Sequence, residues 1–297
     1  MASLREIRRK IKSVRSTQQI TRAMKMVAAA RMRRAHSAIL ASRPFAMKME
    51  SAIRDLALLE IPAELAALPE VRIHPFFEPR GEERPGLVLI TADKGLCGAF
   101  NANLLRASID WMRRQQGRRA AVAVVGKKGR DFLNRLRGSG PEVLTEVVGA
   151  FPKVGFAHAE LLGKAVIDAY LTGRLTRVAV IYNEFKSIVS QRVVETQLLP
   201  IPAPSGKRGT GEGFQFEPGR EELLDALLPR FVKAQLYRFL LESQAAELAA
   251  RMNAMDAASK NAGELIDSLT LGLNRTRQGI ITREIAELVG GAEALAS

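Results

Sequence analysis

The sequence predicts an α/β protein: a Rossmann-like central domain carried by a long antiparallel coiled coil of the N- and C-terminal helices. Three observations predict it. All thirteen prolines lie between Pro44 and Pro229, so both ends are free to form long helices and the middle is not. The C-terminal end repeats apolar residues in alternating steps of three and four. The middle alternates short apolar runs with amphipathic stretches, the mark of a mainly parallel sheet covered by helices. The expected division is residues 1–60, 61–220 and 221–297.

The N-terminal end, residues 2–42, is dense in Ala, Arg, Lys, Met and Gln, which favour helix. Ser3 with Glu6 makes a capping box. Leu4, Ile7, Ile11 and Val14 begin an apolar stripe, which then shifts to Ile20, Met24 and Val27. The helix is expected to run past Pro44 to about Glu60, a rod of roughly 85 Å.

In the middle, LVLITA (87–92), AVAVVG (121–126), VLTEVV (143–148) and RVAVIYN (177–183) read as strands. Helices are expected over Asn101–Gln115, 128–137 and Ala157–Leu171. Residues 187–200 read as a longer, half-exposed strand, and 202–213 as a loop rich in Gly and Pro. At the C-terminal end the seam is Leu241, Ala245, Leu248, Met252, Met255, Ser259, Ala262, Ile266, Leu269, Leu273, Thr276 and Ile280. A helix from about Arg230 to Val289 is roughly 90 Å long. Two rods of equal length at opposite ends predict an intramolecular antiparallel coiled coil. The alternative is two separate helices in a bundle.

Composition excludes several classes. At 47% hydrophobic and 26% charged, the chain is of the folded and soluble kind, not the disordered kind. Its apolar runs are too short to span a bilayer, and no signal-peptide pattern is present. Cys97 is the single cysteine, which excludes an internal disulfide framework and fits a reducing compartment. His36, His74 and His158 are dispersed, which excludes a histidine-rich metal site. Aromatic content of 5% is low for base stacking.

Charge is concentrated at one end. Residues 1–48 hold thirteen Lys or Arg and one acid, a net +12, whereas the other 249 residues hold 32 basic and 30 acidic groups, a net +2. This segment calls for an acidic protein surface, a nucleic acid or an anionic membrane. As a transit peptide it would be rich in Arg and Ser, but its helical pattern continues past residue 40 without a break. As a nucleic-acid grip it would hold phosphates. As a structural rod its charges would face an acidic protein sleeve.

No catalytic pattern emerges. The turn 91–101, TADKGLCGAFN, joins a strand to a helix and could hold a phosphate at the helix N-terminus. It lacks the spaced glycines of a dinucleotide fingerprint and the GK[ST] of a P-loop, so a tight strand-to-helix turn is the favoured reading. GKKG (126–129) fails the same test. Cys97 has no nearby histidine to activate it and reads as an inert small residue. No cofactor, metal or acid/base pair is expected.

The segments LREIRRKIKSVRSTQQITRAMKMVAAARMRRA (4–35) with RPF (43–45), ITADKGLCGAFN (90–101) and ITREIAELVGGAEAL (281–295) resemble, in matching order, the gamma subunit of F-type ATP synthases. RMNAMDAASKNAGELI (251–266) and RTRQ (275–278) match too. Leu56–Arg84 and 202–220 resemble it least. The resemblance implies the rotor of a proton-translocating ATP synthase. It implies a coiled coil inside a ring of alpha and beta subunits, and an α/β domain against the epsilon subunit and the c-subunit ring. It implies that Arg277 and Gln278 meet the beta-subunit catch loop, that Arg251 and Thr282 support coupling, and that Met24 lies near the same acidic loops. It implies no specific nucleic-acid partner and no transmembrane segment.

A chloroplast-type thiol switch needs a cysteine pair, which Cys97 alone does not supply. The chain opens directly on the family motif, so a bacterial protein on the cytoplasmic membrane face is expected. Two rival classes remain. A basic coiled-coil nucleic-acid binder explains the charged helix but not the central domain. An enzyme with a Rossmann-like domain explains that domain but has no cofactor fingerprint.

Overall fold

A computed structural model describes residues 3–60, 74–78, 80–136, 138, 140–151, 153–202 and 220–296. In chain order the elements are α1 (Leu4–Glu60), β1 (Pro85–Ile90), α2 (Phe100–Arg114), β2 (Ala121–Val125), α3 (Lys127–Arg135), β3 (Glu142–Val147), α4 (Phe156–Leu171), β4 (Arg177–Phe185), β5 (Gln191–Leu199) and α5 (Arg220–Ala296). The expected fold class holds: two long terminal helices bracket a five-stranded α/β domain. The loop expected over 202–213 lies outside the described residues beyond Pro202. The chain divides into two compact units, residues 1–29 with 251–297, and residues 30–250.

In the first unit α1 and α5 pair antiparallel. The Gln18 amide donates to the Ser259 carbonyl at 3.2 Å, and Lys25 Nζ meets Asp256 Oδ1 at 2.6 Å, so rising numbers on one helix meet falling numbers on the other. The capping box forms. The Ser3 N–H donates to Glu6 Oε2 at 2.9 Å, and the Glu6 N–H donates to Ser3 Oγ at 3.3 Å, which satisfies two donors at the helix start.

The expected shift of the α1 stripe is corrected. Ile20 and Val27 are 57% and 51% exposed. The inward positions continue from Val14 through Gln18 and Thr21 to Ala28, without leaving the three-and-four spacing. Two polar residues hold seam positions because each is bonded there: Gln18 to Ser259, and Thr21 Oγ1 to the Gln18 carbonyl at 3.0 Å. The α5 seam follows the expected spacing, with burial that fades along the helix. Ala245 is 0% exposed, Ile266 9% and Ile280 37%.

The Lys25–Asp256 pair gives a pH prediction. The hydrogen bond from Lys25, helped by Lys260, holds the Asp256 carboxyl below its ordinary range. A depressed carboxyl stabilises the fold above its unfolded pKa and loses that contribution as pH falls through its folded pKa. Asp256→Asn should therefore melt lower than wild type at pH 7, and the gap should begin to narrow as pH falls below about 4. Melting scans of both proteins across pH 3–7 test this; a gap that stays constant into acid assigns the loss to packing instead.

In the second unit the strand order is β3-β2-β1-β4-β5. Strands β1 to β4 run parallel, and β5 returns antiparallel on β4. Every residue of β1 and β2 is buried, as expected of strands covered on both faces. On one face Val88, Ile90, Ala123 and Val125 pack with Leu162, Val166 and Tyr170 of α4 and with α5. On the other, Leu87, Leu89, Val122 and Val124 pack with Phe100, Leu104 and Trp111 of α2 and Leu133 of α3.

Helix α5 begins ten residues earlier than expected and runs through Pro229. A proline inside a helix costs about 3 kcal/mol. Here Leu224, Leu228, Val232 and Leu236 form one stripe, each 0% exposed, against the sheet. Burying each of these is worth about 1.5–3 kcal/mol, so packing outweighs the proline.

Candidate functional site

The turn after β1 is built from its buried side chains outward. Thr91 is fully buried. Its hydroxyl donates to the Val125 carbonyl at 2.8 Å and accepts the Gly129 N–H at 2.8 Å. Gly126 sits at φ 91° against it. The Asp93 carboxylate then gathers three backbone donors from two other loops. Oδ1 accepts the N–H groups of Lys127 and Gly149, and Oδ2 that of Phe151, each at 3.0 Å. Asn101 Oδ1 accepts the Ala92 N–H at 3.0 Å, and its amide donates to Cys97 Sγ at 3.2 Å.

Amides at the start of α3 are the kind a phosphate would take. In this chain the Asp93 carboxylate takes the Lys127 N–H, the Ala92 carbonyl the Lys128 N–H and the Thr91 hydroxyl the Gly129 N–H. At the start of α2, the helix that the turn 91–101 enters, the Phe100 N–H donates to the Cys97 carbonyl at 3.2 Å. Cys97 is 1% exposed, a packing residue in that turn. The three histidines also have structural partners. His74 meets Asp225 at 3.1 Å, His158 Nδ1 accepts the Gly155 N–H at 3.1 Å, and the His36 ring lies edge-on to Phe185. Among the described residues no three of His, Cys, Asp or Glu are grouped to hold a metal.

One buried polar group was not anticipated. Burial pushes the Glu242 carboxyl up and pushes the Tyr182 hydroxyl up to about 12. Arg238 Nε lies 3.4 Å from Glu242. Perturbed acids mark active sites, but structural ion pairs produce them too. The burial depends on α5 packing beside β4, which no local pattern announces.

The outer faces of the terminal helices carry the other candidate features. The cations of α1 from Arg5 to Arg34, Lys25 excepted, are exposed. Apolar side chains are exposed beside them, Met26 at 67% and Ile20 at 57%, and on α5 Leu271 at 72% and Leu288 at 75%. Apolar surface rimmed by charge is typical of a protein-binding face. Of the residues singled out by resemblance, Met24 and Arg251 are half-buried, whereas Arg277, Gln278 and Thr282 are exposed. They do not form one compact site. Gln278 and Thr282 share a helix face as i and i+4. Arg251 lies about 39 Å from Arg277 along α5 at 1.5 Å per residue.

The model of the ATP synthase family matches residues 3–295. The ATP synthase gamma chain of Elusimicrobium minutum is 48% identical over 99% of each chain. The chain belongs to the ATP synthase gamma chain family. The corresponding gamma chain of Desulforamulus reducens is 44% identical, over 99% of this chain and all of that one. Among solved structures, the central stalk and c-ring of the Tetrahymena thermophila mitochondrial ATP synthase contains a similar chain. It is 26% identical with a TM-score of 0.61, over 81% of this chain and 99% of that one. A chain of the Euglena gracilis mitochondrial enzyme shares the fold at 20% identity and a TM-score of 0.67, over 98% and 94%. Among the described residues no helix is long and apolar enough to cross a membrane.

Proposed function

We infer that this chain is the central rotor shaft of a proton-translocating F-type ATP synthase. It couples proton flow through the membrane sector to ATP synthesis at catalytic sites on the beta subunits. The observation that carries this reading is the family match from residue 3 to 295, which spans the terminal helices and the α/β domain alike. Residues 1–60 and 221–297 turn within the alpha–beta ring. Residues 61–220 sit against the epsilon subunit and the c-ring, at the cytoplasmic face of a bacterial membrane. The cations of α1 suit acidic beta-subunit loops. Met24, Arg251, Arg277, Gln278 and Thr282 are the contacts through which rotor angle biases each beta subunit. Each angle offers different contacts, so each beta subunit is driven to a different state.

Reconstitution tests this. The chain combined with its alpha, beta and epsilon subunits and membrane sector should give ATP-driven proton pumping. Without it, pumping should be absent. The chain alone should show no micromolar nucleotide affinity by calorimetry. A nucleic-acid binder would behave otherwise. The cations of α1 should attract DNA at low salt and release it near physiological salt. Salt-resistant, sequence-specific binding with no pumping would overturn the rotor reading.

A further inference from the structure

We propose that Asp93 is a positioning residue for torque transfer, the tie that stiffens the grip of the sheet on the helix pair within the unit 30–250. This rests on the rotor reading. Strands β1, β2 and β3 are parallel, so the loops that follow them leave the sheet at one end. The ladder closes with the Thr91 N–H on the Val125 carbonyl and the Gly126 N–H on the Val147 carbonyl, both at 2.8 Å. Beyond that point the Asp93 carboxylate joins the three loops, through Lys127, Gly149 and Phe151.

That end of the sheet is a second place where the unit holds its helix pair, in addition to the buried stripe of Leu224, Leu228, Val232 and Leu236. The loop after β3 continues through Phe151, buried in the core under the sheet, to Val154. Val154 packs against that core and also against a second cluster, formed by Met32, Ala35 and Ile39 of α1 with Leu241, Ala245 and Leu248 of α5. Beside it, Phe185 at the end of β4 packs on the same cluster, and the Asn183 N–H donates to Ser243 Oγ at 3.2 Å. The grip at β4 is braced by strand pairing on both sides. The grip at Val154 comes from a loop, and Asp93 is what fastens that loop to its neighbours.

The chemistry calls for a carboxylate. Two acceptor oxygens can take three N–H donors, whereas an amide side chain turns a donor toward at least one of them. Several of these amides lie near the surface, where water can replace the carboxylate, so the expected effect falls more on stiffness than on folding. Under torsion a loosened loop lets the helix pair twist against the sheet, and ATP is hydrolysed with fewer protons pumped.

The test is Asp93→Asn in the assembled enzyme, against Leu133→Ala, which opens the core on the α3 side and lowers melting temperature without touching this tie. Amide exchange at Gly149 and Phe151 should quicken about tenfold in Asp93→Asn. Protons pumped per ATP hydrolysed should fall about twofold or more. Leu133→Ala should keep the wild-type ratio despite an equal or larger loss in melting temperature. Unchanged exchange, an unchanged ratio in Asp93→Asn, or an equal fall in Leu133→Ala would each overturn the proposal. Absence of pumping with the wild-type chain would instead sink the rotor reading. If Asp93→Asn fails to assemble, Asp93→Ser is measured by the same two criteria.

Discussion

Gly126→Ala is expected to destabilise the chain by about 3–5 kcal/mol, whereas Gly117→Ala costs about 1 kcal/mol. Both glycines have φ in the left-handed half of the map, 91° and 83°. The difference is space. A Cβ on Gly126 would lie 2.2 Å from the Thr91 carbonyl oxygen and 2.8 Å from its hydroxyl, whereas at Gly117 nothing lies within 4 Å. The atoms in the way are backbone and a hydroxyl that already holds Val125 and Gly129, so none can move aside without breaking the turn. The loss of unfolded-chain entropy on going from Gly to Ala returns only about 0.4–1 kcal/mol. Urea unfolding of the two variants decides it. Equal losses would show that the turn relaxes around the new methyl.

Replacing Arg277 and Gln278 together with alanine is expected to lower ATP turnover or ATP-driven pumping of the assembled enzyme about tenfold, while the isolated chain melts almost unchanged. Both side chains are exposed, whereas the neighbouring seam residues Leu273 and Thr276 are half-buried. Exposed substitutions usually shift stability by about 0.5 kcal/mol or less. A guanidinium presents five donors in a rigid fork, and the amide adds a donor and an acceptor. Such a pair suits a directional contact with a carboxylate-bearing loop, made at one rotor angle and broken at the next. A charge-assisted contact is worth about 1.5–3 kcal/mol, and 1.4 kcal/mol of barrier is tenfold in rate. Wild-type hydrolysis and pumping in the double variant would remove both residues from the mechanism.

Much of the architecture was legible in local pattern. Strand β1 was readable because LVLI is apolar at every position, which only a doubly covered strand tolerates. The α5 seam was readable because alternating steps of three and four place side chains on one helix face. The capping box at Ser3 and Glu6 was readable because its partners are three residues apart. The family was legible from three motifs in order, which the match over residues 3–295 bears out. Met24, Arg251, Arg277, Gln278 and Thr282 came from resemblance alone, since periodicity does not separate a working surface arginine from a solvated one.

The sequence by itself determined which segments are helix or strand, where the charge lies and which family the chain joins. Propensity, capping and periodicity act within a turn or two of the chain, and local side chains carry them. Tertiary structure alone decided the rest. It carried α5 through Pro229, because a stripe of leucines and a valine found the sheet. It seated Gln18 and Thr21 in the α1 seam in place of Ile20, because Gln18 bonds Ser259, 241 residues away. It made Asp93 a clamp by bringing Lys127, Gly149 and Phe151 to it from 34, 56 and 58 residues along the chain. Those choices depend on contacts between segments distant in sequence, whose energies exist only once the segments have met.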